Sequence, residues 1–322
     1  MSFRIGRFEI GAQLGQGGSA RVYRAYDPMV GRSVAIKIVR EDADREVAAL
    51  FQTEIRTTAK LSHKNIVTLY ESGVEKGLPY MVMELVEGQP LQDALTRDST
   101  LSLYEKVNVM MQVAEGIQFA HQKKVVHGDL KPENVMLVRG GGVKIIDFGV
   151  AHPATQSIIF EPRSGIVGTI PYMAPEQLEE SAMGKATVQT DVFAYGVMFY
   201  ELITGKHPFN SDENILGVVE RIRWMSPAPV TSLFPECPQG LADLISQAIA
   251  KDLAARYSGF SEILLDIEAI RADIASDRAT TMLQYVPALI EEGNLSGARS
   301  ILRGVIKLEP SNVTARRLRK AI

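Results

Sequence analysis

The sequence predicts an α+β chain of two lobes, a small β-rich one followed by a larger helical one, with a helical hairpin after them. Three observations carry that reading. Short alternating apolar–polar runs punctuated by glycine fill the chain from Phe8 to about Glu87. From Leu91 onward helical periodicity dominates. Between two strongly apolar helical runs lies a stretch from Asp147 to Glu176, rich in Gly, Pro, Ser and Thr. A loop of about 30 residues inside a compact domain is usually functional. The expected division is 8–86 for the first lobe, 87–272 for the second and 279–322 for the hairpin.

Each element follows in order. Val22–Tyr26 and Val34–Ile38 alternate as strands, with a turn at Asp27-Pro28. Asp44 to Leu61, rich in Ala, Glu and Leu, interrupts them as a helix. Leu103–Gln122 and Asp191–Thr204 are apolar enough to be largely buried helices. Near the end, Thr280–Glu292 and Ser296–Leu308 form two helical runs joined by Gly293-Asn294, and Glu309-Pro310-Ser311-Asn312 closes the second. Gly293 and Ala298 are expected where the helices approach closely, with Leu302 and Val305 packed inward. This hairpin resembles a single tetratricopeptide repeat, a unit that cannot bury its face alone. Its surface is therefore expected to meet a partner, a second copy or the helical lobe, and Arg316–Ile322 to begin another helix. The bland alternative is a plain helical extension.

Bulk composition excludes several classes of function. The 322 residues carry a formal net charge of -3, so no global basic field exists to hold nucleic acid or an anionic membrane. Arg316, Arg317, Arg319 and Lys320 read as a solvated helix face. Cys237 is the sole cysteine, which forbids an internal disulfide or a thiolate metal site and suits a reducing, cytoplasmic setting. Met1–Ile10 carries Arg4, Arg7 and Glu9 and does not read as a signal peptide. No run of about 18 apolar residues occurs, so no membrane span is expected.

The chemistry concentrates in four motifs. Leu14-Gly15-Gln16-Gly17-Gly18-Ser19-Ala20-Arg21-Val22 lies between strand-like runs, and glycines there let backbone N–H groups approach phosphate oxygens. A strand follows this loop, which argues against a dinucleotide-binding turn or a Walker loop. Val34-Ala35-Ile36-Lys37 then sets a lysine inside an apolar strand, where it needs an anion to stay charged. Glu54, on the following helix, is the candidate carboxylate. His127-Gly128-Asp129-Leu130-Lys131-Pro132-Glu133-Asn134 comes next, followed by an apolar strand and Asp147-Phe148-Gly149.

Together these motifs resemble the eukaryotic-type (Hanks-type) protein kinase family, in its bacterial serine/threonine branch. The resemblance covers about Phe8 to Ala272 and implies the bilobal protein kinase fold. It further implies a serine/threonine protein kinase that uses ATP and magnesium (Mg2+), acts on Ser/Thr hydroxyls of protein substrates and autophosphorylates. By that resemblance Asp129 orients the substrate hydroxyl and Lys131 neutralises the transferring phosphate. Asn134 and Asp147 hold the metal, while Lys37 grips the α- and β-phosphates and is itself held by Glu54. Met83 is the gatekeeper, Glu84 C=O and Val86 N–H meet the adenine edge, and Leu14, Val22, Ala35 and Met136 enclose the ring. The Gly168–Glu176 segment, with Thr169, matches the substrate-docking end of the activation segment. Glu176 is expected to pair with Arg256, and Asp191 to hold the catalytic loop's backbone.

Three positions depart from the family pattern. Gly128 stands where many relatives carry the arginine that pairs with an activation-segment phosphate, which predicts activity without strong dependence on modification of Thr155, Ser157, Ser164 or Thr169. Ala20 replaces the third loop glycine. Thr58 falls where a buried apolar residue usually stacks on Phe148, which predicts a loosely docked helix. The rival functions are an ATP-binding scaffold without turnover, a small-molecule kinase and an adaptor acting through the hairpin. The presence of Lys37, Asp129, Asn134 and Asp147 argues against the first, and Ala174-Pro175-Glu176 against the second.

Overall fold

A computed structural model describes residues 4–17, 20–95, 100–148, 170–178, 186–210 and 215–322. Its first lobe is a six-stranded antiparallel sheet in the order β1-β2-β3-β4-β6-β5. The strands are β1 (Arg4–Ile5), β2 (Phe8–Gln16), β3 (Ala20–Asp27), β4 (Arg32–Val39), β5 (Leu69–Glu75) and β6 (Leu78–Glu84). Period-two alternation sorts β4 onto two faces. Val34 and Ile36 pack with Ile5, Phe8, Ala25 and Val82 on one. Ala35 and Val39 pack with Met81, Met83 and Phe51 on the other. Phe51 belongs to helix α1 (Arg45–Thr58), which starts where Asp44 accepts a hydrogen bond from Val47 N at 2.8 Å.

The second lobe is built around α3 (Val188–Thr204), whose residues from Thr190 to Tyr200 are all buried. Helix α2 (Leu103–Gln122) opens with a capping box between Ser102 and Glu105. A small sheet, β7 (Gly88–Pro90), β8 (Val135–Val138) and β9 (Gly142–Ile145), lies at the junction of the lobes. The junction is fastened at one seam. Ile66 bridges Ile145, Val67 N donates to Ile145 O at 2.9 Å, and Asn65 Nδ2 donates to Val143 O at 3.1 Å. The remaining helices are α4 (Ile215–Trp224), α5 (Val230–Leu233), α6 (Gln239–Ala248) and α7 (Phe260–Leu283), followed by α8 (Val286–Glu291), α9 (Leu295–Leu308) and α10 (Val313–Ala321).

The α+β, two-lobed expectation holds, with a C-terminal helical extension. Two of its details differ. The expected run Thr280–Glu292 is two pieces, the end of α7 and the short α8, because the chain turns at Gln284 and Tyr285. Helix α7 runs unbroken across 272–279, where the sequence texture changes. Gly293 is not a close-approach point. It has φ +72° and a Cβ there would meet nothing, so its role is a left-handed turn before the Asn294 cap. Close approach falls instead at Gly304, where a Cβ would lie 2.7 Å from Met282 Cε. Ala298, Leu302 and Val305 are fully buried with Ala279 and Val286, a core separate from that of the helical lobe. Arg278 Nη1 ties α7 to the start of α2 by donating to Ser102 Oγ at 2.9 Å. No helix among the described residues is long and apolar enough to cross a membrane.

Candidate functional site

Lys37 shares a face of β4 with Ala35 and Val39, so its side chain enters the space between the sheet and α1. There Nζ donates to Glu54 Oε1 at 2.7 Å and to Asp147 Oδ1 at 2.8 Å. Its side chain is 12% exposed. Burial disfavours the ammonium, but the Asp147 and Glu54 carboxylates outweigh it and raise its affinity for the proton. Burial works the opposite way on Glu54 and holds its carboxyl above the usual range despite Lys37. For Asp147 burial is overcome by the Lys37 ammonium, and its carboxyl sits below the usual range. A buried ion cluster of this kind adds little to stability, since desolvation offsets the attraction. Its value is positional.

The seating of α1 corrects one expectation. Thr58 is polar, yet it is buried at 4% exposure and the helix is docked, with the Lys37–Glu54 pair formed. Phe51, Val47 and Ile55 join the apolar cluster and supply the contact that Thr58 lacks.

The loop 127–134 is held from below by the start of α3. Asp191 Oδ1 accepts from Gly128 N at 2.8 Å, and Oδ2 accepts from His127 N at 2.8 Å. His121 Nε2 lies 2.7 Å from the same Oδ2. Gly128 has φ +75°, a left-handed conformation in which a side chain costs about 1 kcal/mol. His127 is fully buried, its ring 4.8 Å from Phe148, and burial lowers its proton affinity. Lys131 Nζ donates to Asp129 Oδ2 at 2.8 Å, whereas Asp129 Oδ1 is buried with no partner among the described residues. A shielded acceptor left unsatisfied is uncommon and awaits a donor.

Two hard oxygen donors lie beside it. Asn134 Nδ2 donates to Asp129 O at 2.8 Å, which leaves Oδ1 as the amide's acceptor, and Asn134 O accepts from Ile146 N at 2.9 Å. That bond sets Asp147 next to Asn134. Asp147 itself has φ +54°, a strained conformation of the sort that concentrates at functional sites. An amide oxygen and a carboxylate fit a hard divalent cation that keeps several waters.

The structure therefore brings Lys37, Glu54, Asp129, Lys131, Asn134 and Asp147 together. Val22, Ala35, Met83 and Val86 join one apolar cluster, with Ala35 opposite Met83 and Val22 opposite Lys37 in register. Leu14, Gly15, Gln16, Ala20 and Arg21 lie on the two strands flanking the glycine-rich turn, Leu14 being 52% exposed, and Met136 lies on β8. Gly18, Ser19, Thr155, Ser157, Ser164 and Thr169 fall outside the described residues. Arg256 forks onto Glu176, Nη1 to Oε1 at 2.8 Å and Nη2 to Oε2 at 3.1 Å, as the sequence led us to expect.

Two polar contacts were not foreseen. Lys144 Nζ donates to Glu84 Oε2 at 2.8 Å and ties the lobe-connecting strand to β9. The signal was present, because Lys144 is a lysine in an apolar strand just as Lys37 is. Tyr172 Oη donates to Glu201 Oε2 at 2.7 Å, a pairing that spacing alone does not reveal.

Residues 8–266 match the family model described as protein kinase domain. Similar proteins include the serine/threonine-protein kinase PrkC of Bacillus subtilis (strain 168), 35% identical over 296 residues, which are 89% of this chain and 45% of PrkC. The probable serine/threonine-protein kinase PknB of Corynebacterium glutamicum is 34% identical over 292 residues, 87% of this chain and 44% of that protein. The probable kinase PknB of Lactococcus lactis is 33% identical over 264 residues, covering 81% and 41%. The chain spans less than half the length of these relatives.

Proposed function

The chain belongs to the protein kinase domain family, and from that premise we propose that it transfers the γ-phosphate of ATP to Ser and Thr hydroxyls of protein substrates. The observation that carries the proposal is the pair of hydrogen bonds from Lys37 to Glu54 and Asp147, together with an Asp129 Oδ1 that is buried with no partner among the described residues. Phosphoryl transfer asks a protein mainly for positioning and charge stabilisation. Lys37, kept cationic and fixed by Glu54, orients the α- and β-phosphates. Asp129 Oδ1 accepts the hydrogen bond of the substrate hydroxyl and aims its oxygen at the γ-phosphorus. Lys131, bonded to Oδ2, carries positive charge toward the transferring group. Asn134 and Asp147 are the residues that would hold Mg2+, which when bound neutralises phosphate charge. Leu14, Val22, Ala35, Met83 and Met136 enclose the adenine, with the Glu84 carbonyl and Val86 N–H at its edge.

Finer points of the same reading follow. The lobes divide as 8–86 and 87–272, with a tetratricopeptide-like unit at 279–322 that meets a partner or a second copy, and the chain works in the cytoplasm. Gly128 carries no cation for an activation-segment phosphate. The dephosphorylated protein is therefore expected to keep activity within about tenfold of the autophosphorylated form, and near-complete loss restored by phosphate at Thr155, Ser157, Ser164 or Thr169 would refute this. The function itself is tested with γ-labelled ATP, magnesium and a generic protein acceptor, followed by phosphoamino-acid analysis. Label on serine and threonine supports the reading. Label confined to tyrosine, or absent from every acceptor and from the chain itself, overturns it.

A further inference from the structure

On the helical lobe, α3, α4, α5 and the segments between them line a half-open cavity of about 320 Å³. That is within the range of specific binding pockets. Its frame is stiff. Tyr200 Oη donates to Ala228 O at 2.9 Å, and Pro208 and Pro227 fix the backbone on either side. Phe209, 1% exposed, forms the floor; it stacks on Phe193 and is capped by Lys251 Nζ at 3.6 Å from its ring centre. A preformed concavity binds without the cost of ordering it.

Its chemistry is unusual in two ways. The rim is apolar and bare. Met225 is 52% exposed, Leu233 36% and the neighbouring Trp224 76%. Single exposed apolar residues need no explanation, but several around one concavity mark an interaction surface. Two cations stand among the described lining residues as well. Lys206 and Arg221 line the cavity, and no carboxylate among the described residues does. Neither is paired with a carboxylate among the described residues, whereas Arg7, Lys37, Arg40, Lys144 and Arg256 all are. Arg223 lies beside Trp224, its guanidinium 5.2 Å from the ring centre. His207, in the wall, is kept neutral by burial, its affinity for a proton pushed down to about 4. The edge of that ring meets Tyr172 at 5.2 Å, which joins the cavity to the 170–178 segment near Asp129.

We infer that this cavity docks an acidic polypeptide segment carrying a bulky apolar side chain, and that the segment belongs to the protein whose Ser or Thr is phosphorylated. The apolar side chain fills the space over Phe209, and flanking carboxylates meet Lys206 and Arg221. That the occupant is a substrate segment rests on the kinase reading above; the binding itself does not.

Trp224 is the only tryptophan of the chain, so its emission reports on the surface beside the cavity. The probe is a short synthetic peptide with a central phenylalanine between glutamates, free of Ser, Thr, Tyr and Trp. It is expected to change the emission saturably, while its lysine counterpart does not. Arg221→Glu should weaken the glutamate peptide about tenfold or more and gain binding of the lysine peptide, a gain that an unfolded variant cannot give. An acceptor peptide fused to the glutamate–phenylalanine segment should show a KM about tenfold below that of the acceptor alone, with kcat unchanged. Three results overturn the inference: no saturable response, equal binding of both peptides, or an emission change that follows protein concentration with a doubled mass, which would make a second copy the occupant. Transfer to acceptors with a silent Trp224 removes the docking site alone. Peptide binding without transfer to any acceptor removes the kinase reading and, with it, the occupant's identity as a substrate.

Discussion

Replacing Asp191 by Asn tests how the catalytic loop is held. The carboxylate is 1% exposed and its two oxygens divide the work: Oδ1 accepts from Gly128 N, and Oδ2 accepts from His127 N and contacts His121 Nε2. An amide keeps one oxygen. Placing its NH2 at the Oδ2 position sets it against the His127 N–H and disturbs the His121 contact, so the favoured arrangement turns it toward Gly128 N, where two donors then face each other. One charge-assisted bond is lost and a shielded N–H is left unpaired, about 2 kcal/mol in all. For a chain of 322 residues, whose unfolding entropy is about 0.7 kcal/mol/K, that lowers Tm by about 3 °C. Asp129 follows Gly128 directly, and a displacement of about 1 Å at the reacting groups costs on the order of 100-fold in kcat. The assay pairs thermal melts with steady-state transfer kinetics, and kcat should fall much further than the KM for ATP rises. A melt within about 1 °C of the wild type together with kcat within about twofold would refute the holding role.

Four further outcomes follow from the same contacts. Lys37→Met removes the cation shared by Glu54 and Asp147 and should lower transfer about 100-fold or more, measured with saturating ATP; a loss under threefold would mean the cluster is structural only. Arg256→Lys cannot reproduce the fork onto Glu176 and should cost about 1–3 kcal/mol, read as a shifted urea midpoint at constant slope. His207 is a base whose folded value is depressed to about 4. Below its unfolded value of about 6.5 the unfolded chain binds more protons, so stability falls as pH drops toward 4, by about 2 kcal/mol between pH 7 and 5. His207→Phe should flatten that part of the pH–Tm curve, and an unchanged curve would contradict the assignment. Leu302→Ala empties a fully buried position in the C-terminal unit and should cost about 2–5 kcal/mol there, visible as lost hydrogen-exchange protection in α9.

Much of the site was legible because its residues sit in short local patterns. A lysine in an apolar strand, an acid one helix later and the 127–134 motif need no register to be noticed, and the Ala, Glu and Leu content from Asp44 to Leu61 marks α1. Contacts that depend on three-dimensional register were harder. Glu84 and Lys144 are 60 residues apart and meet only because β6 and β9 flank the same junction. Tyr172 and Glu201 pair through the packing of the 170–178 segment on α3. The seating of Thr58 shows the limit of reading one position alone, since three neighbours on the same helix supply the apolar contact. The break in the expected Thr280–Glu292 run escaped notice for another reason: Gln284 and Tyr285 carry no glycine or proline punctuation.

The proposed role of Asp129 Oδ1 is to receive the substrate hydroxyl beside Lys37, which would orient the phosphates, and Asn134 and Asp147, which would hold the metal. Its most direct measurement compares nucleotide affinity and single-turnover transfer for the wild type and Asp129→Asn. Affinity is expected to stay within about threefold and transfer to fall by about 100- to 10,000-fold. Equal transfer by the two proteins would contradict it.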